Sequence, residues 1–170
     1  MLRINKENIM KYTFFYGGTF SQWFRSDFII DNITYNCAEQ YMMAQKALMF
    51  EDSFAYHKIM TTVNPFTQKK IGRKVINFVP EEWNQDAKRI VLLANYNKFT
   101  QNPEMKERLL ETKDTLLVEA SPYDTIWGIG LGMDDPLKED PKNWKGTNWL
   151  GEAITEVRET IVAEAKGMVV

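Results

Sequence analysis

The run Ala38-Glu39-Gln40-Tyr41-Met42-Met43-Ala44-Gln45-Lys46-Ala47-Leu48-Met49-Phe50 divides the chain into two kinds of sequence. Within it Tyr41, Ala44 and Leu48 fall on one helical stripe with Met42, Gln45 and Met49 beside it, so the spacing predicts a largely buried helix over 38–50. The N-terminal side of this run reads as β. Thr13-Phe14-Phe15-Tyr16 is a short aromatic run closed by Gly17-Gly18, the pattern of a buried strand followed by a backbone turn. Phe28-Ile29-Ile30 and Ile33-Thr34-Tyr35 flank Asp31-Asn32, a pair that tolerates the positive φ angles of a tight hairpin.

The C-terminal side is mainly helical. Asn64-Pro65 and Asn102-Pro103 each set a capping residue before a proline whose missing N–H costs nothing in a first turn, and each predicts a helix start. Between them Trp83, Ala87, Ile90, Val91, Ala94 and Phe99 recur at three- and four-residue intervals after Pro80, as in a long amphipathic helix. Thr115–Glu119 reads as a strand. The stretch from Ser121 to Asn148, rich in Gly, Pro, Trp and Asp, is too irregular for a regular element and too aromatic for an idle linker, so it is read as a site-forming loop region. Leu150, Ile154, Val157 and Ile161 then mark a last helix, ending before a loose tail over Gly167-Met168-Val169-Val170. No repeat or composition shift marks a second domain, and the whole reads as one α+β domain with a core of about 12–165.

A chain of 170 residues is long enough to bury a sizeable core, and 44% hydrophobic with 26% charged residues is the composition of a globular protein. The net charge of −2, from 21 basic and 23 acidic residues, excludes a basic field over the whole molecule that would hold nucleic acid nonspecifically, while leaving room for a local basic pocket. Cys37 and His57 are the single cysteine and histidine, so an internal disulfide is excluded and a zinc site is not expected. Met1–Asn8 lacks the apolar core of a signal peptide, and no run approaches a membrane span; a cytoplasmic protein is expected.

Three clusters could carry chemistry. Glu39 and Lys46 stand seven residues apart, about 700° of helical rotation, and so share one face about 10 Å apart along the axis. That suits a cleft where a carboxylate meets a sugar and an ammonium meets a phosphate; it also suits two charges at the rim of a core helix. The second cluster runs from Val118-Glu119 through Asp124 and Trp127-Gly128 to Gly130 and Gly132. Glycines there let backbone N–H groups approach an anion, and a carboxylate beside an aromatic platform is what a positively charged sugar requires, yet a Gly-rich turn around a core tryptophan fits equally. In the third, Trp144-Lys145-Gly146-Thr147-Asn148-Trp149, Asn148 reads as the N-cap of the last helix or as a ligand contact. Arg73 and Lys74, after Gly72, would bind phosphate or decorate a helix end. His57 and Cys37 belong to no motif that would make a nucleophile pair.

In combination these segments resemble the NADAR (YbiA-like) family, also described as riboflavin biosynthesis intermediates N-glycosidases. The resemblance is carried in order by Phe20-Ser21, the Glu39 to Lys46 helix, Ile71-Gly72-Arg73, the Trp83 helix, Lys98-Phe99, Val118-Glu119 with Asp124, Trp127-Gly128, Trp144, Gly146, Asn148, Leu150-Gly151 and Arg158. It departs at Gln22 and Gln40, where the family often has Asn and His. The resemblance implies a mostly helical α+β domain with a small β-sheet. It implies hydrolysis of the N-glycosidic bond between a phosphorylated or ADP-linked ribose and a nitrogenous base, with no metal or organic cofactor. Family substrates are ribosylaminopyrimidine phosphates of early riboflavin synthesis or ADP-ribosylated guanine, so the implied partner is a nucleotide-like small molecule or an ADP-ribosylated nucleic acid. Carried over residue by residue, Glu39 and Asp124 are the catalytic carboxylates, and Lys46, Trp127, Gly128, Asn148, Glu119 and Arg73 contact substrate. A catalytically idle module binding ADP-ribose or a related nucleotide in the same pocket is the alternative. A helical interaction protein with a Trp-rich interface is a third reading.

Overall fold

A computed structural model of the chain describes residues 11–168. The expected absence of a leader at Met1–Asn8 and the last two residues of the expected tail lie outside this range. Among the described residues, four strands and six α-helices run in the order β1 (Tyr12–Phe15), β2 (Phe28–Ile30), β3 (Ile33–Tyr35), α1 (Ala38–Met49), α2 (Ser53–Met60), α3 (Pro65–Gly72), α4 (Pro80–Gln101), α5 (Pro103–Glu111), β4 (Leu116–Glu119) and α6 (Trp149–Ala165). Among the described residues no helix is long and apolar enough to cross a membrane.

The strands form two two-stranded sheets where a single small sheet was expected. β2 and β3 make the predicted hairpin, with Asp31 at φ 51 and Asn32 at φ 62 supplying the two left-handed residues of its turn. β1 pairs with β4 in parallel, Tyr12 opposite Leu116 through Phe15 opposite Glu119. A parallel pair needs a long crossover, and here nearly the whole helical body provides it. The C-terminal end of β4 is thereby delivered beside the helices.

α1 is the central element and packs against α2, α3 and α4, while α4 in turn packs on α6 and α6 on β4. Its alanines 38, 44 and 47 are fully buried, which lets neighbouring helices approach closely. Gly72 of α3 lies on Met43, and a Cβ at that position would run into the Met43 sulfur. α2 and α3 begin on side-chain caps: Asp52 Oδ1 accepts from Ala55 N–H at 2.9 Å, and Asn64 Oδ1 accepts from Phe66 N–H at 2.9 Å. Asn102 starts α5 as expected but is not a side-chain cap. Its amide donates to Lys98 O at 2.8 Å and Asp27 O at 3.1 Å, tying the end of α4 to the β2 hairpin.

The stretch 121–148 is irregular as expected apart from two short 3-10 turns at Pro136–Glu139 and Pro141–Asn143. Backbone hydrogen bonds nevertheless fix it. Thr147, Trp149 and Leu150 N–H groups donate to the carbonyls of Thr125, Ile126 and Trp127 at 3.0, 3.1 and 3.1 Å, fastening the 124–130 loop to the start of α6.

Candidate active site

A cleft of about 940 Å³ opens where α1, α3, the start of α4, the end of β4 and the 121–127 loop meet. Glu39, Lys46, Arg73, Glu119, Asp124 and Trp127 all line it, so separate helices, a strand end and a loop bring six of the eight predicted residues together. The charges that spacing placed on one face of α1 do face one space.

Glu39 occupies the first turn of α1 with only 5% of its surface exposed, and its N–H donates to Gln22 O at 3.0 Å. Burial pushes its carboxyl from an ordinary value near 4.5 up to about 7. Lys69 opposes that rise, Asp124 adds to it, and Arg73 and the neighbouring Trp23 oppose it. Glu119, at the end of β4, is also pushed up to about 7, first by burial and then by Asp124, with Lys69 pulling it down and Glu39 raising it further. Three carboxyls therefore feel one another across the cleft.

Asp124 is held by its own loop. Its Oδ1 accepts from the N–H groups of Ile126 at 2.9 Å and Trp127 at 2.7 Å, an Asx-type turn that leaves Oδ2 without a hydrogen-bond partner among the described residues. The same turn aims Trp127, whose ring meets Trp149 edge-on with centroids 5.6 Å apart. Lys46 Nζ lies 4.1 Å from the centre of the Phe78 ring and 5.8 Å from that of Trp83. Burial lowers its pKa, Glu39 raises it and Arg73 lowers it.

Two expected contacts are corrected. Asn148 is 2% exposed and absent from the cleft wall; its Oδ1 accepts from Glu119 N–H and its Nδ2 donates to Leu117 O, both at 3.0 Å. Both ends of its amide are spent on β4, so its side chain neither lines the cleft nor caps α6. Gly128 is buried behind the wall, where an added Cβ would stand 2.9 Å from Glu119 O and 3.1 Å from Asp124 O. The glycine run does not line the cleft, and within it Ile129 N–H donates to Glu119 O and Gly130 N–H to Asp124 O, each at 3.0 Å. These residues shape the site from beneath.

Lys69, Trp23, Phe78 and Trp149 also line the cleft and were not singled out by sequence. Trp83, read as helix core, has one side on the cleft. No spacing rule connects Trp23 or Lys69 to Glu39, because the link is formed by tertiary approach of the 21–24 turn and α3. His57 is exposed on α2, and Cys37 is buried with its thiol pushed up to about 11 by burial, so the two do not form a nucleophile pair.

The sequence profile of the NADAR domain matches residues 14–162. A protein of Acanthamoeba polyphaga mimivirus named N-glycosidase is 42% identical over 162 residues, covering 88% of this chain and 95% of its own. One of Nostoc punctiforme, also named N-glycosidase, is 30% identical over 144 residues, 85% of each chain. Among solved structures, the NMR structure of the E. coli protein YbiA superposes with a TM-score of 0.77 at 26% identity, covering 94% of this chain and 90% of that one.

Proposed function

Because the chain belongs to the NADAR domain family, we propose that its cleft hydrolyses the N-glycosidic bond between a phosphorylated or ADP-linked ribose and a nitrogenous base. The chain is a hydrolase acting on N-glycosyl compounds, as its N-glycosidase relatives are named. The observation that carries the finer reading is the pairing of Glu39 and Glu119, both raised to about 7, in a cleft with Asp124 and three cationic side chains.

Cleavage of a ribosyl C–N bond builds positive charge on the anomeric carbon, asks for a proton on the departing base and needs an activated water. Two carboxyls near 7 can divide those tasks at neutral pH, one protonated and one ionised. After burial, the largest influence on Glu39 is the cation Lys69, whereas on Glu119 it is the anion Asp124, and on that ground Glu39 is assigned the ionised role and Glu119 the protonated one. Glu119 then gives its proton to the base as the C–N electron pair moves onto it, and Glu39 takes a proton from the attacking water. The free oxygen of Asp124 faces the developing cation. Lys46, Lys69 and Arg73 hold phosphate, and Trp127 or Trp23 stacks on the base. A volume near the upper end for small-molecule clefts favours the ADP-linked sugar.

The test incubates purified protein with ADP-ribosylated guanosine and, separately, with a ribosylaminopyrimidine phosphate, and measures free base. Release from either is expected, with a loss of about 10²-fold or more in Glu39→Gln. Binding of ADP-ribose without release from either substrate would identify an idle binding module instead. Parental rates in both Glu39→Gln and Asp124→Asn would end the assignment.

A further inference from the structure

Beneath the cleft, α4 carries a fully buried lysine that the proposed chemistry does not use. Lys98 is 0% exposed, and its Nζ donates to Ser21 O at 2.9 Å. One turn earlier Asn95, equally buried, donates from Nδ2 to Gln22 Oε1 at 2.8 Å while its Oδ1 has no partner. Both therefore grip the turn that precedes Trp23. That turn is also bonded to the catalytic helix, since Gln22 O accepts from Glu39 N–H at 3.0 Å, and Trp23 N–H is held by Ser21 Oγ at 3.1 Å.

We propose that Lys98 and Asn95 are positioning residues that hold the Ser21–Trp23 turn from below, at the height where Trp23 shares the cleft wall with Glu39. A buried lysine is a costly way to brace a loop if only stability is at stake. Ser21 O already accepts from Phe24 N–H at 3.2 Å, so a methionine of similar volume would leave no orphaned carbonyl. What the ammonium adds is a fixed height and direction for a chain that otherwise has Trp23 and Phe24 partly exposed at the cleft mouth. Groups facing Glu39 from the surrounding elements are Cys37 just before α1, Lys46 on α1, Lys69 and Arg73 on α3, Glu119 on β4 and Asp124 in its loop; none of them touches Lys98 or Asn95 by hydrogen bond or ion pair, and the Cys37 thiol feels the charges of both Glu39 and Lys98. Loss of the brace therefore shifts Trp23 on the cleft wall while leaving those charges in place.

The inference rests on Glu39 being part of the proposed site, but its first readout needs no substrate. In the full chain, the 1H–15N indole resonance of Trp23 is monitored against pH in the parent, Lys98→Met and Asn95→Leu proteins, with melting temperature alongside. The parent indole is expected to shift with a midpoint near that of Glu39, and the shift is expected to disappear in Glu39→Gln, which separates it from the titration of Lys98 itself. In Lys98→Met the amplitude is expected to fall at least twofold or the midpoint to move by at least half a pH unit, with an unchanged or higher melting temperature. Where turnover of ADP-ribosylated guanosine is measurable, kcat should fall about tenfold or more with KM within about twofold. A Trp23 titration in Lys98→Met that superposes on the parent curve overturns the proposal, whatever happens to stability. Should Lys98→Met not fold, Asn95→Leu is read by the same criterion. An inactive parent protein with the expected indole behaviour would refute the substrate assignment and leave the brace standing.

Discussion

Glu39 and Glu119 are alike in chemistry and in their displaced values, and differ in their neighbours. At the residue scale this predicts a bell-shaped dependence of kcat/KM on pH with its maximum close to 7, because the base must be ionised and the acid protonated in the same molecule. Glu39→Gln should flatten the acid limb of the remaining activity, and Glu119→Gln the alkaline limb; limbs exchanged between the two variants would reverse the roles. Lys46 belongs to binding more than to proton transfer. Packed against Phe78 and Trp83, its ammonium is held in one place without a carboxylate in contact. Lys46→Met is expected to raise KM for a phosphorylated substrate by about tenfold, on the order of 1.4 kcal/mol, with a smaller effect on kcat. Initial rates over a range of substrate concentrations separate the two parameters.

At the scale of elements, the site depends on how β4 and the 124–130 loop are locked to the start of α6. Asn148 is the residue common to both, with its side chain on Leu117 and Glu119 and its N–H on Gly128 O at 3.2 Å. Asn148→Leu should lower stability by about 1–3 kcal/mol through buried groups left unpaired on β4, visible as a drop in melting temperature. The same change should reduce turnover by shifting Glu119. A melting temperature equal to the parent's would show that the lock is dispensable. This arrangement explains which parts of the site can be read from sequence. Glu39 and Lys46 are legible because a helical period fixes which side chains share a face, and Asp124 with Trp127 because they stand only three positions apart in one loop. The Asp31-Asn32 hairpin and the proline-led helices are legible for the same local reason. Asn148 is misread from sequence because an asparagine before a helix is most often a cap, and only the parallel strand brought alongside makes it a clamp. Trp23 and Lys69 are invisible since their partner, Glu39, is distant in sequence and reached only after folding. The single expected sheet becomes two because the hairpin packs on α4 and does not join β1 and β4.

Across the whole molecule, the buried ionisable groups make the ligand-free protein's stability take an unusual course with pH. Glu39 and Glu119 are raised from near 4.5 to about 7, so between those values the folded state binds more protons than the unfolded chain, and stability falls as pH rises through that window. Each contributes on the order of 1–3 kcal/mol over that span. Lys98 is lowered from 10.5 to about 7, so above 7 the unfolded chain binds the extra proton and stability rises with pH. Cys37, raised from 9.0 to about 11, opposes that rise only above 9. Between pH 5 and 9 the two effects meet as a minimum in melting temperature near 7, the pH at which the proposed acid and base are divided. Differential scanning calorimetry at constant ionic strength should show this trough. Glu39→Gln should make its acid side shallower, and Lys98→Met should make its alkaline side shallower, Lys46 supplying the remainder. A stability maximum near 7 in the parent protein would contradict the burial of these three groups together. A trough that persists unchanged in both variants would assign it to other residues.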